Sequence, residues 1–350
     1  MLGRAERLVY RVSQTARVSW YLGQYWLAAR LNGPSVRLEE RSPGLEMPGL
    51  RDILADLEGL LARDLANIEA GYYRLPHDLV ARPGRALGQA AAFFQDLPAV
   101  RRRRRGRINA EVLRAPPPGS ERLPRYFRQN FHYQTDGYLS DRSARLYDHQ
   151  VEVLFTGGAD AMRRQALVPM AQYLRARGVA GARVVDVAAG TGRFLTFVKD
   201  NWPRLDVTAV DLSLPYLAEA RRRLRPWART TRVVQAPAEA LPLAGESVDL
   251  VTCIYLFHEL PRAVRALAAA EMARVLKPGG RLILVDSIQL GDKPMMDGLI
   301  DLFPRAFHEP YYAGYARADL PALFAEVGLA LRSVELAFMS KVLVLEKPGP

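Results

Sequence analysis

Residues 184–194, VVDVAAGTGRF, carry an apolar strand-like run into an acid, then into a loop of small residues with Gly190 and Gly192, and then into the start of a helix. A strand that turns so tightly into a helix needs residues without bulky side chains, because the backbone must come close to a ligand lying across the turn. The segment therefore points to an α/β architecture with a nucleotide-like ligand at the end of a strand. A dinucleotide fingerprint would require a third glycine where this chain has Leu195, which weakens the case for a nicotinamide cofactor. A second acid, Asp211 in LDVTAVDLS, follows Gly192 by 19 residues, the distance at which such folds place a carboxylate for the ribose hydroxyls. Asp211 could instead cap the helix beginning near Leu214; the glycine loop and the acid together favour ribose binding.

Strand and helix patterns alternate from there. Strands are predicted near 183–187, 207–211, 231–235, 248–254 and 281–286, and the segments 329–337 and 340–346 read as a closing hairpin. Such alternation predicts a mostly parallel sheet covered by helices on both faces. Upstream, residues 1–125 read as a helical N-terminal domain: Leu50, Ile53, Leu54, Leu57, Leu60, Leu61, Leu65 and Ile68 recur at helical spacing, and the unit closes near the proline-rich APPPGS at 115–120. Residues 126–158 form a connector or lid, and residues 159–350 the nucleotide-binding domain, entered through a helix at about 159–177 that ends at Gly178.

Composition narrows the function classes. With 350 residues and 49% hydrophobic content, the chain can bury an α/β core plus a smaller unit. No stretch reaches the roughly 18 apolar residues of a membrane span, and Arg4, Arg7, Arg11 and Arg17 interrupt any N-terminal apolar run of the kind a signal peptide needs. The lone cysteine, Cys253, excludes an intramolecular disulfide, so a cytoplasmic location is expected. Because Cys253 sits in the buried-strand pattern VDLVTCIYLF, it reads as a packed thiol and not as a nucleophile. No metal is expected. The formal charge is +12, and Arg101–Arg105 is the densest basic run. With no nucleic-acid-binding motif beside it, the run reads as a solvated stretch, and nucleic acid is not the favoured partner. A helix over 4–27 would group Arg4, Arg7 and Arg11 beside an apolar stripe of Ala5, Leu8, Val9, Val12, Ala16, Trp20 and Leu27. That stripe suits peripheral contact with an anionic membrane, and it equally suits docking on the protein's own helices or on a second subunit of a homo-oligomer.

The series Asp186, Ala188, Gly190, Gly192 resembles motif I of class I S-adenosylmethionine-dependent methyltransferases, D-x-G-x-G-x-G, with Ala188 in the first glycine position. QAPAEALPLAGESVDLVTCIYLFHELP and RVLKPGGRLILVDS continue the pattern in order, so the resemblance covers about residues 160–347. The core is similar to type-11 methyltransferases, including enzymes that methylate quinone rings. The resemblance implies a Rossmann-like seven-stranded sheet with its last strand antiparallel, S-adenosyl-L-methionine as cofactor, and methyl transfer by in-line displacement to a small-molecule or lipid-like acceptor. It implies cofactor contacts from Asp186, Ala188, Gly190, Gly192, Asp211 and Leu212, and adenine contacts near Ala236–Glu239. There Pro237 occupies the place of the expected acid, leaving Ala238 and Glu239. Lys277–Gly280 reads as a structural turn.

Ligands of open α/β sheets bind beyond the strand ends, which makes His258 and Glu259, after the fourth strand, candidates to face the substrate. His258 has the ordinary pKa of a general base, and could equally orient the loop by hydrogen bonding. Asp286 and the segment with His308, Glu309, Tyr311, Tyr312 and Tyr315 could line the same mouth. The connector clusters His132, Tyr133, Gln134, Asp136, Tyr138, Asp141, Arg142, Tyr147 and His149. Tyr133 is expected beside the cofactor and Tyr138 at the reacting centre, although the cluster could also be a structural hydrogen-bond network. Two other classes remain open at this point: a nicotinamide-dependent oxidoreductase, and a catalytically silent partner protein that keeps the cofactor site.

Overall fold

The computed structural model describes residues 2–32, 42–80 and 82–349. Its centre is one seven-stranded sheet in the order β3-β2-β1-β4-β5-β7-β6. The strands are β1 (Arg183–Val187), β2 (Asp206–Asp211), β3 (Thr231–Gln235), β4 (Val248–Ile254), β5 (Leu276–Ser287), β6 (Ala330–Ala337) and β7 (Ser340–Glu346). β1 to β5 pair in parallel; β7 alone runs antiparallel, between β5 and β6. The central strands β1 and β4 are mostly apolar because both faces are covered. In β1, Val184 packs into one core layer and its neighbour Val185 into the other, as the two-residue period of a strand requires. Cys253 is a buried thiol in β4.

The helices in chain order are α1 (Arg4–Asn32), α2 (Leu50–Glu69), α3 (Pro83–Gly106), the single turn α4 (Glu111–Arg114), α5 (Asp141–Leu154), α6 (Ala159–Arg164), α7 (Leu167–Arg177), α8 (Arg193–Asn201), α9 (Leu214–Leu224), α10 (Arg262–Val275), α11 (Asp297–Phe307), α12 (Tyr312–Tyr315) and α13 (Leu320–Ala325). The expected continuous helix over 159–177 is two helices. Pro169 has no N–H to give the carbonyl of Gln165, and the chain breaks at Gln165–Ala166.

The N-terminal helices share a core with the sheet. Tyr10, Leu65, Ile68 and Tyr73 pack in one layer with Met170, Phe197 and Val198. Within it, buried Asp64 accepts from Tyr10 (2.6 Å), Tyr73 (2.7 Å) and both ends of the Arg164 fork (3.0 and 2.6 Å), so each buried polar group has a partner. Helix α1 docks through Tyr10, Gln14, Gln24 and Ala28, with Arg17 bound to Asp160 at 2.7 Å. The apolar stripe read from the sequence is a different face. Leu8 is 63% exposed and Val12 59%, and Trp26, which extends this face beyond that stripe, is 60% exposed. Intramolecular docking and the apolar stripe therefore do not compete, contrary to the expectation that both use the same residues.

One residue of the arginine run departs from its reading as a solvated stretch, while Arg102 and Arg105 are exposed. Arg103, near the end of α3, is buried and bonds Glu111, the Tyr133 carbonyl and Thr135 Oγ1 (3.0 Å), anchoring the connector. A residue with five donors can hold three acceptors at once, which is why this one turns inward. Among the described residues no helix is long and apolar enough to cross a membrane.

Candidate active site

The loop after β1 explains its own sequence. Ala188, Gly190 and Gly192 all have positive φ (60°, 56° and 72°), the left-handed region that small or glycine residues fill most readily. The glycines differ in purpose. A Cβ on Gly192 would stand 3.1 Å from the Cβ of Ala220, so Gly192 lets α8 approach α9; a Cβ on Gly190 would meet no atom within 4 Å, because this residue faces a cavity.

That cavity, about 1010 Å³ with its open mouth, lies at the C-terminal ends of β1, β2 and β4. It is lined by Asp186, Ala188, Gly190, Asp211, Leu212, Ala238, Glu259 and Tyr138 of the residues singled out in the sequence. Asp211 does not cap α9: Ser213 does, its Oγ accepting from the Tyr216 N–H. Asp211 instead receives the Gly190 and Ser213 amides at 2.8 Å each, one on each oxygen, which leaves one lone pair per oxygen for a ligand. Burial raises its carboxyl to about 6. Asp186, bonded by Thr252 at 2.6 Å, is raised to about 7 by the same cause.

Several candidates lie elsewhere. Gly192 is behind the loop, against α9. Tyr133 is outside the cavity, its ring 5.6 Å from that of His308, because the backbone of His132 and Tyr133 takes left-handed φ and turns the ring away. Glu239 sits behind Ala238 and accepts from Tyr126 at 2.6 Å; its second oxygen is buried and accepts no hydrogen bond. His258 is buried, with Nδ1 2.6 Å from Asp286 and Nε2 3.8 Å from Glu259. Against the cost of burial, Asp286 and Glu259 hold its imidazolium up to about 9. The expected free base is therefore a cation at neutral pH. Asp286 is engaged by the His258 ring and the Ser287 amide on Oδ1 and by the Phe257 amide on Oδ2.

The connector closes the cavity with rings. Tyr126, Phe127, Phe131, Tyr138 and Tyr147 come from it, and Phe194, Tyr216 and Tyr255 from the core. Phe131 stacks on Tyr138 at 5.4 Å; Tyr147 and Tyr216 meet Tyr138 edge-on. The Tyr138 hydroxyl donates to Glu259 at 2.5 Å. Sequence reading did not single out Asp148, Arg163, Thr191 or Arg193, which also line the cavity. The Thr191 hydroxyl in the glycine loop bonds Asp148 of α5 at 2.9 Å, tying connector to loop. No local motif marks these residues, because they reach the site from α5, α6 and the loop end.

A second, more apolar cavity of about 880 Å³ lies between α1, α3, α5 and the end of α11. Ala28, Phe93, Leu97, Val100, Val151 and Phe307 line it; Tyr147 borders both cavities.

A family model described as a methyltransferase domain matches residues 184–280. The chain is 35% identical over 168 residues to the ubiquinone/menaquinone biosynthesis C-methyltransferase UbiE of Syntrophotalea carbinolica, covering 48% of this chain and 67% of that one. It is 34% identical over 133 residues to the demethylmenaquinone methyltransferase of Thermus thermophilus, covering 38% of this chain and 57% of that one. With the malonyl-acyl-carrier-protein O-methyltransferase of Methylococcus capsulatus the identity is 38% over 125 residues, covering 36% of this chain and 44% of that one. The chain thus spans two thirds of the first relative's length and about half of the other two. Joined to the seven-stranded sheet with its one reversed strand and to the carboxylate and glycine loop at its mouth, these likenesses lead to one conclusion: the chain belongs to the class I S-adenosylmethionine-dependent methyltransferases.

Proposed function

We propose that the protein methylates a small apolar acceptor held in the second cavity, next to S-adenosylmethionine in the first. The observation that carries this reading is the adjacency of the two cavities across Tyr147. The cofactor's sulfonium supplies an electrophilic methyl group, so the protein needs no nucleophile of its own. What its residues supply is alignment, exclusion of water and a place for charge.

The residues of the first cavity fit the cofactor. Asp211 retains an acceptor position on each oxygen for the two ribose hydroxyls, Gly190 leaves its Cβ space open, and Leu212 and Ala238 offer apolar surface to adenine. Arg163, which lines the cavity, is placed to meet the cofactor's carboxylate. At the other end Glu259, fixed by Tyr138 and flanked by the His258 cation, meets the polar end of the acceptor, and Tyr138 shields the transfer from water. His258 is a positioning residue for Glu259.

Relatives named for quinone and acyl-carrier-protein substrates are consistent with acceptors that carry an apolar part. The exposed stripe of α1, bearing Leu8, Val12 and Trp26 with Arg4, Arg7 and Arg11 close by, suits contact with an anionic membrane that stores such acceptors. Because α1 also contributes Tyr25, Ala28 and Ala29 to the second cavity, membrane contact and acceptor entry would share one helix.

Filling the second cavity tests the assignment. Ala29→Trp, at the cavity rim, is expected to lower turnover at least about tenfold with unchanged S-adenosylmethionine affinity. Unchanged turnover would place the acceptor elsewhere.

A further inference from the structure

His132 of the connector, Glu259 after β4 and Glu309 after α11 come from three distant parts of the chain, yet one ligand atom from each lies within 4.8 Å of the others. His132 Nε2 stands 2.8 Å from Glu309 Oε1 and 3.8 Å from Glu259 Oε1. Ligands bound to one zinc-like ion at ~2.0–2.2 Å sit about 3–4 Å from one another; the His132–Glu259 separation falls in that range, and His132 and Glu309 would part by a few tenths of an ångström to admit an ion.

Glu309 supplies an independent observation. It is 1% exposed, and neither carboxylate oxygen accepts a hydrogen bond; the His132 ring faces Oε1 without the alignment of one. A buried carboxylate with no aligned hydrogen bond on either oxygen is costly unless a cation satisfies it; here the protonated His132 ring pairs with Oε1 at 2.8 Å, and an ion would take the place of that proton. The Tyr138 hydroxyl donates to the same Glu259 Oε1 that faces His132, and His132 borders the apolar second cavity, so the cluster stands where the two cavities approach each other.

We infer that His132, Glu259 and Glu309 form a binding site for one divalent transition ion, of the class of Zn²⁺. Three protein ligands leave a coordination position open, as catalytic sites do and closed structural sites do not. An ion there would take an oxygen of the acceptor as its remaining ligand and stabilise it as the anion, with the acceptor's proton leaving to solvent; the methyl group then passes from the sulfonium to the deprotonated acceptor. The site itself stands on the three side chains. Only the ion's role rests on the acceptor reading given above.

The test is calorimetric titration of the chelator-treated full chain with Zn²⁺ alone, without cofactor or acceptor. The expected result is one ion per chain at micromolar affinity or tighter, weakened at least about tenfold by Glu309→Gln and by His132→Gln. Co²⁺ absorption gives a second readout on the unaltered protein, where bands of a low-coordinate nitrogen and oxygen site are expected. Glu309 is buried, so its variant is first compared with the parent in thermal unfolding; His132 is partly exposed and provides the variant that does not depend on core packing. Absence of binding by the parent chain overturns the inference, as does binding equally strong in the His132 variant. S-adenosylmethionine affinity measured on the same sample separates this failure from failure of the methyl-transfer reading.

Discussion

Asp211 concentrates the cofactor argument in one side chain. Its removal takes away up to two charge-assisted hydrogen bonds of about 1.5–3 kcal/mol each, so Asp211→Ala is expected to weaken S-adenosylmethionine binding by at least about tenfold in calorimetry. Its pH behaviour provides a finer test. Burial raises the carboxyl to about 6, above the ordinary ~3.9 it has in the unfolded chain. The folded state therefore holds this proton more tightly: the group's contribution to stability is full below about pH 4 and is lost as pH rises through about 6. Ligand affinity runs the other way, because the ionised carboxylate is the better acceptor. Affinity should climb through pH 6 and level off, and Asp211→Asn should remove that step; a flat profile in the parent protein would detach Asp211 from the ribose. At the opposite end of the cavity, Glu259→Gln is expected to lower turnover at least about tenfold while leaving cofactor affinity within about twofold, since it faces the acceptor. Asp211 was legible in the sequence because its spacing from the glycine loop is fixed by one helix and one strand. Of the two readings of His258, base or hydrogen-bonded loop residue, the sequence could not choose, because the Asp286 that makes it a cation lies on β5, 28 residues away.

At the scale of elements, the strands were legible because β1 and β4 are short, largely apolar runs buried on both faces, and the hairpin of β6 and β7 because its two strand-like runs are separated only by Phe338 and Met339. The break between α6 and α7 was missed, although Pro169 marks it. The connector was legible as a cluster but not as a shape, since Tyr133 and Tyr138 part at backbone turns that no periodicity encodes. The bond between Asp148 and Thr191 makes α5 a support for the glycine loop. Bound cofactor should accordingly protect the amides of residues 130–149 from hydrogen exchange, and exchange indifferent to saturating ligand would make the connector a fixed strut. The tie between α2 and α6 has a larger energetic signature. Asp64→Ala would strand the buried Arg164 guanidinium and is expected to cost about 3–5 kcal/mol in denaturant unfolding, against less than about 1 kcal/mol for breaking the exposed pair Lys347–Glu246.

The molecule as a whole sets the cavity at the strand ends beside an apolar cavity formed by α1, α3, α5 and the end of α11, with Tyr147 lining both. That junction was not legible from the chain, because the second cavity draws on α1, α3, α5 and α11, whose mutual packing no local pattern fixes. The exposed face of α1 can be tested without disturbing its docked face. Leu8→Glu, Val12→Glu and Trp26→Glu together should abolish salt-sensitive binding to vesicles containing anionic lipid and leave thermal unfolding unchanged, whereas equal binding by the variant would remove the membrane contact. The central claim, methyl transfer from S-adenosylmethionine to an apolar small molecule, is tested most directly by incubating the full chain with methyl-labelled cofactor and a fractionated cell extract. The account predicts label in the fraction that partitions into organic solvent, dependent on Asp211 and Glu259. Label confined to protein or nucleic acid, or no transfer at all by a chain that binds the cofactor, would contradict it.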